Sequence, residues 1–266
     1  MPPILLSLIR RTRKQNVTQE VWTGDFASWN EVEIMCTGYD NIEILEKCKS
    51  ALFKVKNGEA VYERDSMLFD KKQYSWGLLA GVQRAALEND GYLCVLDFGG
   101  SLGSTYYQNK EFLCPLNELK WCIVEQPHFV DCGKKYFEDN QLKFYETIEE
   151  CLGKNKPNVL LLSGVLQYLE KPYEWVEKFE GLGIKNIIID RTSFVEGETD
   201  ILTIQNVPES IYQASYPAWF FNESKFKSQF KNYSLLADYE SYCDESIVLN
   251  SKFKAKWVGY LFVQNK

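Results

Sequence analysis

Several things are scarce in this chain of 266 residues, and each scarcity excludes something. There is one histidine, His128, and the eight cysteines (Cys36, Cys48, Cys94, Cys114, Cys122, Cys132, Cys151, Cys243) contain no C-x-x-C pair. Without paired cysteines or a histidine cluster, no metal site is expected. Cys94 and Cys122 fall in apolar, strand-like runs, so reduced, buried thiols in a cytoplasmic protein are the expectation. Positive charge is outnumbered: 30 Lys and Arg against 37 Asp and Glu give a net charge of −7. That argues against nucleic acid as a partner, because such proteins carry basic faces. No apolar run reaches the length of a membrane span. The one short run, Met1 to Ile9, precedes Arg10, Arg11, Arg13 and Lys14, the reverse of a signal peptide. An interfacial anchor is one use of such a segment; a helix packed on the domain or a frayed arm is the more ordinary one. Internal repeats and low-complexity stretches are also absent. An apolar content of 45% suits a globular chain of one large domain, or one domain with an appendage.

What is present is organised around Val95-Leu96-Asp97-Phe98-Gly99-Gly100-Ser101-Leu102-Gly103. This reads as a strand over 92–98 that runs into a glycine-rich turn and then a helix from Ser104. Glycine permits positive φ and a close backbone approach to a ligand. Before it, the spacing predicts helices over Asn41–Lys56 and Trp76–Leu87, with the polar cluster Tyr62-Glu63-Arg64-Asp65-Ser66 between them. Residues 1–88 therefore read as a helical N-terminal cap, and 89–266 as the main domain. Beyond the turn come strands over 121–125, 142–145, 158–163 and 186–190. Helices begin at Pro127, Ile148 and Pro172, and Glu111–Lys120 reads as a loop. Such alternation implies an α/β fold with parallel strands covered on both faces. Residues 191–222 break the rhythm as an insertion. A helix over 223–230 and strands over 233–239 and 256–263 close the chain with an antiparallel pair.

Ligands of open α/β sheets bind outside the carboxyl ends of the strands, so the polar residues there are the candidates. The glycines at 99, 100 and 103 do not fit the G-x-G-x-x-G turn of nicotinamide-binding proteins. An acid two residues ahead of the first glycine, followed by Gly99-x-Ser101-x-Gly103, is instead similar to the G-x-G-x-G turn of S-adenosylmethionine-dependent methyltransferases. Asp97 would face the methionine end of such a cofactor. Glu125, 28 residues further on, ends the second strand and would accept the ribose hydroxyls. Gln126 follows it, and Tyr145, Glu146 and Thr147 would line the adenine edge. Ser163, Gln167 and Tyr168 follow the fourth strand, and Tyr106 or Tyr107 could approach the sulfonium. Arg191 and Thr192 extend the fifth strand, where Arg191 is either an anion clamp or a salt-bridge partner of Asp190 or Asp200. Tyr212 to Phe221, with Tyr216 and Trp219, would wall the same end. His128 reads as a surface residue.

On these residues the chain resembles a family of bacterial S-adenosylmethionine-dependent methyltransferases associated with surface-polysaccharide biosynthesis loci. The matching stretches are Tyr62–Ser66, Leu96–Ser104, Val124–Gln126, Ser163–Tyr168, Arg191-Thr192 and Ala214–Trp219, and the serine in the turn belongs to that pattern. The resemblance implies a Rossmann-like class I methyltransferase fold, with a mostly parallel seven-stranded sheet and a terminal antiparallel strand. It implies S-adenosylmethionine as cofactor and a capsule or lipopolysaccharide setting. The expected reaction is O-methylation of a polysaccharide precursor: a sugar, a nucleotide-linked sugar or a phosphoramidate-type group. Expected cofactor contacts are Asp97, Gly99, Gly100, Ser101, Gly103, Glu125, Gln126, Tyr145, Glu146, Ser163 and Gln167. Expected catalytic residues are Asp65, Tyr168, Tyr216 and Arg191, with Arg64 and Arg191 available to an anionic acceptor. The alternative is a catalytically inactive binding or scaffold protein in polysaccharide assembly. The expected partner is a small-molecule or sugar-nucleotide acceptor, with no nucleic acid and no stable membrane insertion; the oligomeric state is left open.

Overall fold

The computed structural model describes residues 21–38, 42–208, 211–242 and 246–266. The basic N-terminal segment and Cys243 lie outside them. The described chain starts with the two-residue strand β1 (Trp22–Thr23), helix α1 (Trp29–Glu33) and helix α2 (Ile42–Lys56). The hairpin β2 (Tyr62–Arg64) and β3 (Met67–Phe69) follows, then helix α3 (Trp76–Leu87). The N-terminal part thus carries short strands beside the helices of the expected helical cap. Its short strands are three residues or fewer, below the length at which period-two alternation can be read. Nor does it have a core of its own: Trp22, Leu45 and Leu52 join the apolar cluster that holds Val95 and Phe129.

Strands and helices then alternate. They are β4 (Tyr92–Phe98), α4 (Ser104–Leu113), β5 (Glu118–Val124), α5 (Pro127–Tyr136), β6 (Leu142–Tyr145), α6 (Ile148–Lys154), β7 (Val159–Ser163) and α7 (Pro172–Gly181). The expected loop over 111–120 is shorter than it looked, since α4 runs to Leu113 and β5 starts at Glu118. Leu113 at the end of α4 and Leu119 just inside β5 are both buried. Pro127 at the first turn of α5 costs nothing there, and Thr147 caps α6 by accepting from the Glu150 amide at 3.0 Å. Helix α3 reaches the sheet closely because Gly81 leaves room: a Cβ there would lie 2.7 Å from Leu261 and 2.8 Å from Ile188.

The last part holds β8 (Asn186–Val195), β9 (Ile201–Val207), β10 (Ala214–Asn222), α8 (Glu223–Lys227), β11 (Tyr233–Glu240), β12 (Ile247–Leu249) and β13 (Phe253–Gln264). The parallel order is β6-β5-β4-β7-β8; β13 runs antiparallel to β8, and β11 to β13. These are the seven strands the sequence implies, five parallel ones closed by an antiparallel pair, in a doubly wound sheet. The whole sheet has 11 strands. Of the additional ones, β9 and β10 lie in the stretch that read as an insertion, while β1 and β12 come from before and after it.

What positions the site is the length of β8. Its first half pairs with β7, from Asn186 to Asp190. All ten of its residues are buried, and it continues past the end of β7 to Val195. There it meets β10 in parallel at Phe194–Phe221, and β10 carries β9 and β1 as an antiparallel unit. This unit stands beyond the carboxyl ends of β4, β5 and β7 and turns the open crevice of the sheet into a walled cavity.

Candidate functional site

The cavity has a volume of about 740 Å³ and lies between those strand ends, the hairpin β2–β3, α1 and β10. Its floor is the glycine loop. Gly99 has φ +74, and a Cβ on it would lie 2.5 Å from Val165. A Cβ on Gly100 would lie 2.6 Å from the Asp97 carboxylate, so the loop folds down onto that acid because the side chain is missing. Ser101 adopts φ +53, a strained value for serine, in the place where the usual turn has glycine. Its amide donates to Glu125 Oε1 at 3.2 Å, and the Gln126 amide donates to Oε2 at 2.7 Å. Asp97 is 1% exposed and accepts from the Trp121 indole N–H at 2.8 Å. Burial pushes both carboxyls, Asp97 and Glu125, up to about 7. No salt bridge reaches either carboxylate among the described residues.

The roof is different. Arg191 sits at φ +50 in β8, opposite a register shift in β13. Its Nη1 lies 3.4 Å from Asp65 and its Nε 3.3 Å from Ser163 Oγ and 4.0 Å from Asp190. Asp190 accepts from Ser75, Ser163 and Tyr239 at 2.8, 3.0 and 3.1 Å. Asp65 and Ser66, at φ +52 and +67, form the tight turn of the hairpin. Of the two salt-bridge partners expected for Arg191, Asp190 is confirmed and Asp200 is not. Asp200 takes Lys225 and the Tyr173 hydroxyl, on the far side of β10. Tyr168 donates to Gln205 at 2.8 Å and packs edge-on against Tyr216 at 5.3 Å. Trp29 stacks on Trp219 at 6.4 Å.

Asp65, Asp97, Gly99, Gly100, Ser101, Glu125, Gln126, Glu146, Ser163, Tyr168, Arg191 and Tyr216 all line this one cavity. Three of the candidates do not. Gly103 caps α4 at φ +105 and faces Leu142 and Ile123 in the core. Tyr145 points back into its own crossover, where its hydroxyl accepts from Asn155 at 2.8 Å. Gln167 is 1% exposed and donates to the Arg191 carbonyl at 3.1 Å, which fastens the strained residue from behind. Tyr106 is likewise a core residue, bonded to Gln141, and Tyr107 is off the cavity wall. His128 packs against Phe129, away from the cavity.

The site also holds residues that the sequence did not flag. Trp29, Glu33 and Trp175 line it, as does Glu63, which accepts a hydrogen bond from the Ser104 hydroxyl. Glu63 stood inside the polar cluster at 62–66, and that cluster was the only signal for it. Arg64, from the same cluster, is 4% exposed beneath the rings of Phe69 and Tyr242, 5.4 and 5.1 Å away. Among the described residues no group of three or more His, Cys, Asp or Glu could hold a metal ion. No helix among them is long and apolar enough to cross a membrane.

No protein-family model matches the sequence, and none of the curated proteins matches it. Solved structures do match. One is an S-adenosylmethionine-dependent methyltransferase from Clostridium acetobutylicum, 11% identical, with 73% of this chain and 93% of that one covered at a TM-score of 0.45. Another is the CcbJ methyltransferase from Streptomyces caelestis, 10% identical over 71% and 90%, TM-score 0.44. A third is the N-terminal domain of EvdMO1, crystallised in the presence of S-adenosylhomocysteine and D-fucose, 12% identical over 85% and 97%, TM-score 0.45.

Proposed function

We propose that this protein is an S-adenosylmethionine-dependent methyltransferase acting on a small polar acceptor. The observation that carries the reading is the pairing of Ser101 with Glu125. A partly buried carboxylate is held by two backbone amides at the lip of a glycine loop, at the carboxyl end of the second parallel strand. That is where a nucleoside ribose is recognised in doubly wound sheets. Glu125 would accept the two ribose hydroxyls, and Glu146, after the third strand, would stand at the base edge. Asp97 beneath Gly100 would face the methionine end. When bound, the cofactor supplies an electrophilic methyl group.

The chain's own contribution at the roof is alignment and exclusion of water. Arg191 holds Asp65 in place, and Asp65 would take the proton of an alcohol acceptor. Tyr168 spends its proton on Gln205 and so serves as a wall, with Tyr216. Aromatic faces from Trp29 and Tyr216 beside polar groups suit a sugar ring. The surface-polysaccharide setting, with a sugar or nucleotide-linked sugar as acceptor, rests on the family resemblance carried together by Tyr62–Ser66, Leu96–Ser104, Val124–Gln126, Ser163–Tyr168, Arg191-Thr192 and Ala214–Trp219.

The test is titration of the pure protein with S-adenosylmethionine, S-adenosylhomocysteine and NAD. Micromolar binding of the first two and none of NAD is expected. Absence of binding at millimolar S-adenosylhomocysteine would contradict the reading and favour a scaffold role.

A further inference from the structure

Glu63 is not explained by the site as described so far. It is 2% exposed, it lines the cavity, and its carboxylate accepts from the hydroxyl of Ser104 and from the backbone of Ser66, with no cation paired to it among the described residues. Ser104 is the first residue of α4, directly after the glycine loop. The hairpin β2–β3 therefore delivers a carboxylate to the far end of the loop from Glu125, which is bonded at Ser101. No salt bridge reaches Glu63 among the described residues, although Asp65 and Arg191 both act on it through space. Burial pushes its carboxyl up to about 7. Buried carboxylates are ordinarily compensated by a cation or a full set of donors. A ligand that brings a cation would complete this one.

We propose that Glu63 binds the α-ammonium group at the methionine end of the cofactor. The inference rests on the cofactor reading above. A nucleoside whose ribose lies on Glu125, and whose tail crosses Gly99–Ser101 toward α4, ends beside Glu63. The tail is zwitterionic. Its carboxylate suits the amides at the start of the ten-residue helix α4, and its ammonium suits the acid beside them. Glu63 is thus a binding residue from the N-terminal hairpin, outside the glycine loop and the strand ends.

The experiment is calorimetric titration with S-adenosylhomocysteine and with its analogue lacking the α-amino group. Wild type, Glu63→Gln and Glu63→Asp are compared. Wild type should prefer the amine by about tenfold or more, the scale of a charged hydrogen bond. Glu63→Gln should lose that preference while holding the deaminated analogue as wild type does. Glu63→Asp, which keeps the charge, should retain most of the preference. If Glu63→Gln weakens both ligands equally while Glu63→Asp restores both, the role is structural and the proposal fails. Equal affinity of wild type for the two ligands overturns it as well. Binding of neither ligand by wild type overturns the cofactor reading, and this inference with it.

Discussion

Glu125 and Arg191 stand at opposite ends of one cavity and are held in opposite ways. Glu125 has no salt-bridge partner among the described residues; two backbone amides fix it, one from its neighbour Gln126 and one from Ser101, a residue with positive φ in the glycine loop. Arg191 is itself the strained residue. Side chains from the β2–β3 turn and the end of β7, far off in sequence, and from its own neighbour Asp190 hold it in place. The first end is preorganised by backbone and depends on small residues. The second is a buried ion network that depends on every charge being matched. Substitutions should therefore damage the two ends differently: ligand binding at the loop, stability at the roof.

The largest effect expected is at the roof. Arg191→Ala removes the guanidinium that bridges Asp65 and Asp190, and breaking such a buried contact costs about 3 kcal/mol. Urea denaturation should show the unfolding free energy lowered by that amount and the midpoint lowered with it, and an unchanged midpoint would remove the distinction between the two ends. Next comes Gly100→Ala, whose added carbon meets Asp97. Overpacking of this kind costs about 1–3 kcal/mol, and S-adenosylhomocysteine binding should weaken with it. Gly153→Ala on α6 meets nothing within 4 Å and should be neutral or stabilising by about 0.5–1 kcal/mol.

The loop end was legible for a physical reason. Asp97 through Gly103 and Glu125 are local features of strand ends, and a parallel sheet fixes where strand ends go. Even there, residues that looked chemical proved to be fasteners. Gly103 makes a helix cap and Gln167 secures Arg191, because a glycine or glutamine next to a site carries no sign of which way it faces. The roof was only partly legible. Asp65, Arg191, Tyr168 and Tyr216 could be named from their position near strand ends or in an aromatic run. The contact between Asp65 and Arg191 could not, since 126 residues separate them. Glu63 was missed because strands of three residues give no alternation by which to tell an inward acid from an outward one. The strands β9 and β10 were missed for another reason: they pair with each other and with the extension of β8, outside the strand–helix rhythm.

Acidity offers a subtler probe. Glu63, Asp97 and Glu125 have carboxyls raised to about 7 from ordinary values of 4.5, 3.8 and 4.5. Between those limits the folded chain holds protons that the unfolded chain has released, so stability falls as pH rises. The ligand-free protein should therefore melt at a higher temperature near pH 5.5 than near pH 8. Glu63→Gln should flatten that slope in differential scanning calorimetry, and a slope of opposite sign would contradict the burial argument. A control outside the cavity is Tyr145→Phe. It removes the Asn155 hydrogen bond, about 1 kcal/mol, and should leave cofactor affinity unchanged because Tyr145 lies outside the cavity.

The most direct measurement is calorimetric titration of S-adenosylhomocysteine into wild type, Glu125→Ala and Tyr216→Phe. Micromolar binding to wild type, weakened about tenfold or more in Glu125→Ala and unaltered in Tyr216→Phe, is the predicted result. Equal affinities for wild type and Glu125→Ala would contradict the account, because the loop end would then not be where the nucleoside sits.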